Sequence, residues 1–185
     1  MLKDERQYFK PFNYPWAYDK WLKHEQSHWL HTEVPMLEDV KDWKKKLTDS
    51  EKHFLTNIFR FFTQGDIDVA GGYVQNYIPH FPQPEVRMML LGFAAREALH
   101  IAAYSHLIET LGMPESTYSE FAEYEEMRDK HDYIMSLSAK NGTVESTAAH
   151  IAAFSAFTEG MQLFSSFIML LNFPRHGKMK GMGQI

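Results

Sequence analysis

Glu97-Ala98-Leu99-His100, with Tyr104 one helical turn further on, is the stretch of this chain best equipped for chemistry. A glutamate and a histidine three residues apart project from the same face of a helix, and such a pair makes half of a dinuclear metal site in a four-helix bundle. The flanking residues, Met88-Met89-Leu90-Leu91-Gly92-Phe93-Ala94-Ala95 and Ile101-Ala102-Ala103, are almost wholly apolar. A carboxylate buried there is costly unless it is paired or bound to metal. Two readings stand: a metal-ligand pair, or a buried Glu–His pair capped by Arg96. Glu-x-x-His alone is a weak motif, and Glu25-x-x-His28 repeats it within the polar stretch Lys23-His24-Glu25-Gln26-Ser27-His28, where solvated side chains need no explanation.

Two further carboxylates change the balance. Asp66 interrupts Phe61-Phe62-Thr63-Gln64-Gly65-Asp66-Ile67, and Glu159 interrupts Phe154-Ser155-Ala156-Phe157-Thr158-Glu159-Gly160-Met161. Separately, Asp66 reads as a solvent-facing neighbour of Asp68, and Glu159 as an interhelical hydrogen-bond acceptor. Together with Glu97 and His100 they put one carboxylate mid-way along each of three long apolar helices, the pattern a carboxylate-bridged dimetal bundle requires.

The elements that would position these residues are all helical. Residues 1–16, with Pro11 and Pro15, read as an irregular arm. Helices are expected over 17–30, 36–46, 49–77 (opened by Thr48-Asp49-Ser50-Glu51), 85–111 (stopped by Gly112-Met113-Pro114), 116–140 on the surface, and 144–171 after an Asn141-Gly142 turn. Gly71-Gly72 would loosen the third of these or permit close packing. The expectation is one all-α domain over 1–185. A net charge of -5 and a pI near 6.0 give no argument for nucleic acid or an anionic membrane. With no cysteine, thiolate chemistry and disulfides are excluded within the chain, and metal ligands must be carboxylate and imidazole, suiting iron or manganese. No signal peptide or membrane span is apparent in the residue pattern, so a cytoplasmic protein is expected.

The combined pattern resembles the small, radical-generating subunit of class I ribonucleotide reductases along most of the chain. In that family an aspartate precedes the first Glu-x-x-His by the 31 residues that separate Asp66 from Glu97 here, and a radical-bearing tyrosine follows the histidine by four, the place of Tyr104. Trp29-Leu30-His31-Thr32-Glu33-Val34 is similar to the family's Trp-x-x-Glu-Glu stretch, Ser50-Glu51-Lys52-His53-Phe54-Leu55 to the start of its next core helix, and Glu159 with Leu163 and Phe167 to its third ligand helix. The resemblance implies a ferritin-like bundle, incomplete in this chain, with Asp66, Glu97, His100 and Glu159 as ligands of a dinuclear iron or manganese–iron centre. It implies a radical on Tyr104, shielded by Phe62, Phe93, Leu163 and Phe167, and a relay through His100 and Trp29 toward a large catalytic subunit that reduces ribonucleotides.

The family pattern also requires a second motif, Arg-Asp-Glu-x-x-His, which the sequence through Ile185 does not contain. Also missing are the aspartate linking the metal histidine to the surface tryptophan and the C-terminal tail that binds the large subunit. A split subunit is therefore expected: a second polypeptide supplies the missing helix and tail, and two such pairs form a dimer. The rivals are another ferritin-like dimetal oxidase and a metal-free relic that serves as an interaction subunit.

Overall fold

The computed structural model describes residues 3–137 and 143–185, and among them there is helix and no strand. The expected Asn141-Gly142 turn, and the end of the fifth helix at Lys140, lie outside the described residues. Helix α1 spans Pro15–Gln26, α2 Leu37–Lys45, α3 Asp49–Gly72 and α4 Pro84–Leu111; α5 spans Glu125–Ser136, α6 Val144–Ile151 and α7 Phe164–Arg175.

Local chemistry sets the ends of the two central helices. Thr48 caps α3: its hydroxyl accepts from the Glu51 amide, and the Glu51 carboxylate accepts from the Thr48 amide at 2.8 Å. Pro84 opens α4, and Gly112 closes it at φ 71°, a left-handed conformation that glycine adopts without penalty. The N-terminal arm is pinned to α4 by Glu85, which is fully buried and accepts from Arg6 at 2.6 Å and from the Asn13 and Tyr14 amides at 2.8 and 2.9 Å. At the other end, buried Asp39 of α2 accepts from the Gly181 and Met182 amides, and Asp42 accepts from Met179.

The buried residues of α3 are Leu55, Ile58, Phe59, Phe62, Asp66, Val69 and Gly72. Their three- and four-residue steps mark one face, and that face packs on α4 through Tyr104, Leu107, Ile108 and Leu111. A second cluster joins Ala17, Val69, Tyr77, Val86, Leu90 and Phe154. Gly72 permits close packing rather than loosening the helix, because a Cβ there would sit 3.0 Å from the Phe154 ring.

Three expectations are corrected, and two helices keep their expected run with a change of pitch. Helix α1 starts at Pro15 and ends at Gln26, where the Ser27 hydroxyl turns back to the Lys23 carbonyl at 3.1 Å. The expected 116–140 helix begins only at Glu125. Residues Glu115–Tyr118 and Glu120–Glu123 form 3₁₀ turns, which suit short runs whose serines bond their own backbone. Helix α3 continues past Gly72 as a π-helical turn, Tyr73–Tyr77, and α6 runs into a π-helical segment, Ala152–Leu163, before α7. As a result 144–175 is one helical run, long and apolar enough by length and composition to cross a membrane, which the residue pattern did not suggest. On its outer side Phe157, Met161, Phe164, Ile168 and Leu171 are each more than half exposed.

Candidate metal centre

Asp66 occupies the same stripe of α3 as Phe62 and Val69, so the fold that buries those side chains must bury the carboxylate too. Glu97 lies on the inner face of α4, and His100, one turn on, bonds it through Nδ1 to Oε2 at 3.1 Å. One donor atom each from Asp66, Glu97 and His100 lies within 4.8 Å of the others. Glu159, in the π-helical segment, stands outside that tight triplet, but its charge acts on Asp66, His100 and Tyr73. Arg96 does not cap Glu97; it donates to the His24 carbonyl at 3.1 Å. Glu25 and His28 are exposed.

This donor set fits a hard divalent cation. Asp66 Oδ2 and Glu159 Oε1 are buried without a hydrogen-bond partner, whereas buried polar atoms in proteins are ordinarily satisfied. Burial pushes the Asp66 carboxyl up to about 7; the charges of Glu97 and Glu159 add to the rise and His100 opposes it. Burial and then Glu97 push Glu159 up to about 7. Burial lowers the basicity of His100, but the hydrogen bond and charge of Glu97 outweigh it, so the net direction is up. A cation among these groups removes the repulsion and supplies the missing partners.

The sign of the consequence for the metal-free protein is definite. Below about pH 4, near the ordinary carboxyl values, Asp66 and Glu159 are protonated in both folded and unfolded chains. Between about 4 and 7 the unfolded chain releases these protons and the folded one holds them, so stability falls as pH rises. The loss is on the order of 4 kcal/mol for Asp66, and less for partly exposed Glu159 because solvent screens it. Groups held low, such as Glu51 beside Lys178 at about 2, act only on the acidic side of this window. Urea melts of metal-free protein at pH 5 and pH 8 are expected to show the higher midpoint at pH 5, and Mn²⁺ should reverse the order. Equal midpoints would argue against a charged carboxylate cluster.

Tyr104 lies one turn beyond His100 and is 7% exposed. Burial, and then the Asp66 charge, hold its phenol protonated. Its ring stacks on Phe62 at 4.6 Å and 9°, and Phe62 stacks on Phe167 at 5.5 Å. Leu163 joins the same cluster. Phe93 does not: it packs on His24 at 4.9 Å and Tyr73 at 6.3 Å, because its place on α4 faces α1 rather than Tyr104. Trp29 is half-buried in the segment after α1 and, among the described residues, makes no hydrogen bond or ring contact with His100.

The residue pattern alone did not indicate the cavity of about 410 Å³ beside the centre, where Tyr73, Tyr77, Phe93, Phe154 and Glu159 meet Trp16 of α1. Those residues come from four separate parts of the chain, and no local spacing links them.

The chain is similar to known proteins in both sequence and fold. A model of the family described as "Ribonucleotide reductase, small chain" matches residues 6–185. The probable ribonucleoside-diphosphate reductase small subunit 376L of Invertebrate iridescent virus 6 is 61% identical over 192 residues, covering 97% of this chain and 53% of its own length. The chain spans about half the length of the curated relatives it matches most strongly. Among solved structures, the ribonucleotide reductase R2 subunit from Clostridium botulinum superposes with a TM-score of 0.84 at 24% identity, over 93% of this chain and 55% of that one. The Streptococcus sanguinis dimanganese(II)-NrdF does so with a TM-score of 0.81 at 18% identity, over 97% and 62%.

Proposed function

The chain belongs to the ribonucleotide reductase small-chain family, and from that premise we propose that Asp66, Glu97, His100 and Glu159 are part of the ligand set of a dinuclear iron or manganese–iron centre that generates a radical on Tyr104 for ribonucleotide reduction. The observation carrying this reading is the convergence of Asp66, Glu97 and His100 within 4.8 Å in an apolar interior, with Asp66 Oδ2 and Glu159 Oε1 left without partners. A dinuclear centre held by these residues would supply one-electron oxidising power drawn from dioxygen. The residues of the chain supply the rest. Glu97 orients His100 through the 3.1 Å bond, fixing which ring nitrogen remains free. Asp66 is the carboxylate whose charge reaches Tyr104, and it is the group beside the ring that takes the phenolic proton on oxidation. The stack of Phe62 and Phe167 keeps water and reductants from the ring.

Two ions in such a bundle require a second carboxylate–imidazole pair, and the described cluster holds a single histidine. We assign that pair to a helix outside these 185 residues. The exposed row from Phe157 to Leu171 is a surface such a helix would cover.

Native mass spectrometry of the protein from its natural source, counting polypeptides and metals, tests this. Two metals for each copy of this sequence is the expected result, and an assembly without metal would refute the centre. Trp29→Phe in the assembled protein is expected to retain the radical and lose turnover with the large subunit; retained turnover would exclude Trp29 from the relay.

A further inference from the structure

One buried titratable pair has no part in the centre. Tyr77, at the end of the π-helical turn after α3, and His150, in α6, are 7% and 2% exposed, and Tyr77 Oη lies 2.9 Å from His150 Nδ1. The imidazole stacks on Phe154 at 4.5 Å and 20°, which fixes its plane. The phenol ring stands edge-on to both, at 5.2 Å from His150 and 6.3 Å from Phe154.

The direction of that hydrogen bond can be decided by counting partners. Burial alone lowers the basicity of His150, so the ring is neutral and carries one proton. His150 Nε2 is buried without a partner, and Tyr77 makes no other hydrogen bond among the described residues. With the proton on Nε2, the phenol donates to Nδ1 and only one donor goes unmet. With the proton on Nδ1, the phenol hydrogen loses its acceptor and the Nε2 lone pair is also unmet. The first arrangement is the cheaper. Tyr77 is thus a phenol donating to a neutral imidazole base.

Among the described tyrosines this arrangement occurs once. Tyr118 donates to a backbone carbonyl, Tyr124 accepts from Arg60, and Tyr73 and Tyr104 make no hydrogen bond. An oxidised phenol is a strong acid, so loss of an electron is favoured where a base already holds the proton's path. Tyr77 is also connected to the centre. Its ring lies 5.7 Å from Tyr73, on which the charges of Glu159 and Glu97 act, and both tyrosines line the cavity that Glu159 borders.

We propose that Tyr77 and His150 form a second oxidisable site, a sink for oxidising equivalents that miss Tyr104. Tyr77 gives one electron to a one-electron oxidant, and its phenolic proton moves along the 2.9 Å bond to His150 Nδ1. The products are a neutral phenoxyl radical and an imidazolium, and one returning electron with the same proton restores both. An imidazolium in this apolar pocket is costly, so the oxidised pair is short-lived and passes its equivalent on rather than storing it. The proposal rests on the metal-centre reading only for the natural oxidant.

The test places 3,5-difluorotyrosine at position 77, whose radical carries fluorine hyperfine splitting that separates it from every other aromatic radical. Flash-generated tris(bipyridine)ruthenium(III) then oxidises the metal-free chain, with freeze-quenched electron paramagnetic resonance as readout. A fluorine-split radical is expected with His150 in place, with its yield at least tenfold lower in His150→Phe and in His150→Gln, which accepts the hydrogen bond but not the proton. No fluorine-split signal, or one undiminished in whichever of the two variants keeps its circular dichroism, overturns the proposal. The metal-loaded assembly carrying Tyr104→Phe, exposed to reductant and dioxygen, forms the second arm. A fluorine-split signal there supports the sink, and its absence beside a positive photochemical result counts against the centre as oxidant while the pair stands.

Discussion

Tyr104→Phe is expected to abolish the stable organic radical of the assembled protein while leaving its metal content unchanged. The substitution removes one oxygen atom and little else. The ring keeps its stack on Phe62, no hydrogen bond among the described residues is lost, and the site is buried enough for phenylalanine to be at least as well accommodated. The change in stability should therefore stay within about 1 kcal/mol. Electron paramagnetic resonance at full metal loading gives the answer. A stable radical of undiminished yield would move the assignment to another residue.

Glu97→Gln should have the opposite profile, losing metal while the empty protein becomes more robust. The amide keeps the shape and can still bond His100, but it no longer offers an anionic ligand. Its charge is one of the causes holding both Asp66 and Glu159 up near 7, so its removal lowers the cost of ionising them. Metal content should fall to background, and the melting temperature of the metal-free chain at pH 8 should rise. The gain shrinks toward pH 5, where Asp66 and Glu159 are largely protonated in the folded state. Sites that store repulsion for a cation commonly trade stability for function in this way. A variant that retained two metals would remove Glu97 from the ligand set.

These contrasts also indicate what could be read from the residues. Asp66 was singled out by its place in an apolar stretch and by the 31-residue spacing of the resembled family; on its own it read as a solvent-facing neighbour of Asp68, whereas the structure buries it on the stripe of Leu55, Ile58, Phe59, Phe62 and Val69. Glu97, His100 and Tyr104 were singled out by the Glu-x-x-His spacing, its apolar flanks and the resemblance; the structure buries Glu97 and Tyr104 and leaves His100 partly exposed. The 3₁₀ turns at 115–123 were not, since acidic and aromatic residues there suit a surface helix equally well and the choice is made by docking, including the bond from Arg60 to Tyr124. Phe93 was placed beside the radical because it is apolar and nearby in sequence, but the packing of α1 against α4 turns it to His24. The Tyr77–His150 bond joins positions 73 residues apart and could not be seen by any local rule.

The π-helical segment that carries Glu159 bears on the gene as well as the site. A π turn closes its hydrogen bonds from i to i+5, one residue more than the α pattern, so Ala152–Leu163 holds surplus chain relative to the helices on either side. Deleting one residue there would let the segment relax toward α pitch, and the tighter winding of the residues that remain would offset most of the rotation lost with the deleted one, so Glu159 and α7 would keep close to their present directions. A deletion in α4 between Glu97 and Tyr104 has no such surplus to draw on and would turn everything beyond it by about 100°. The gene is therefore held to its length more strictly beside Glu97 than beside Glu159.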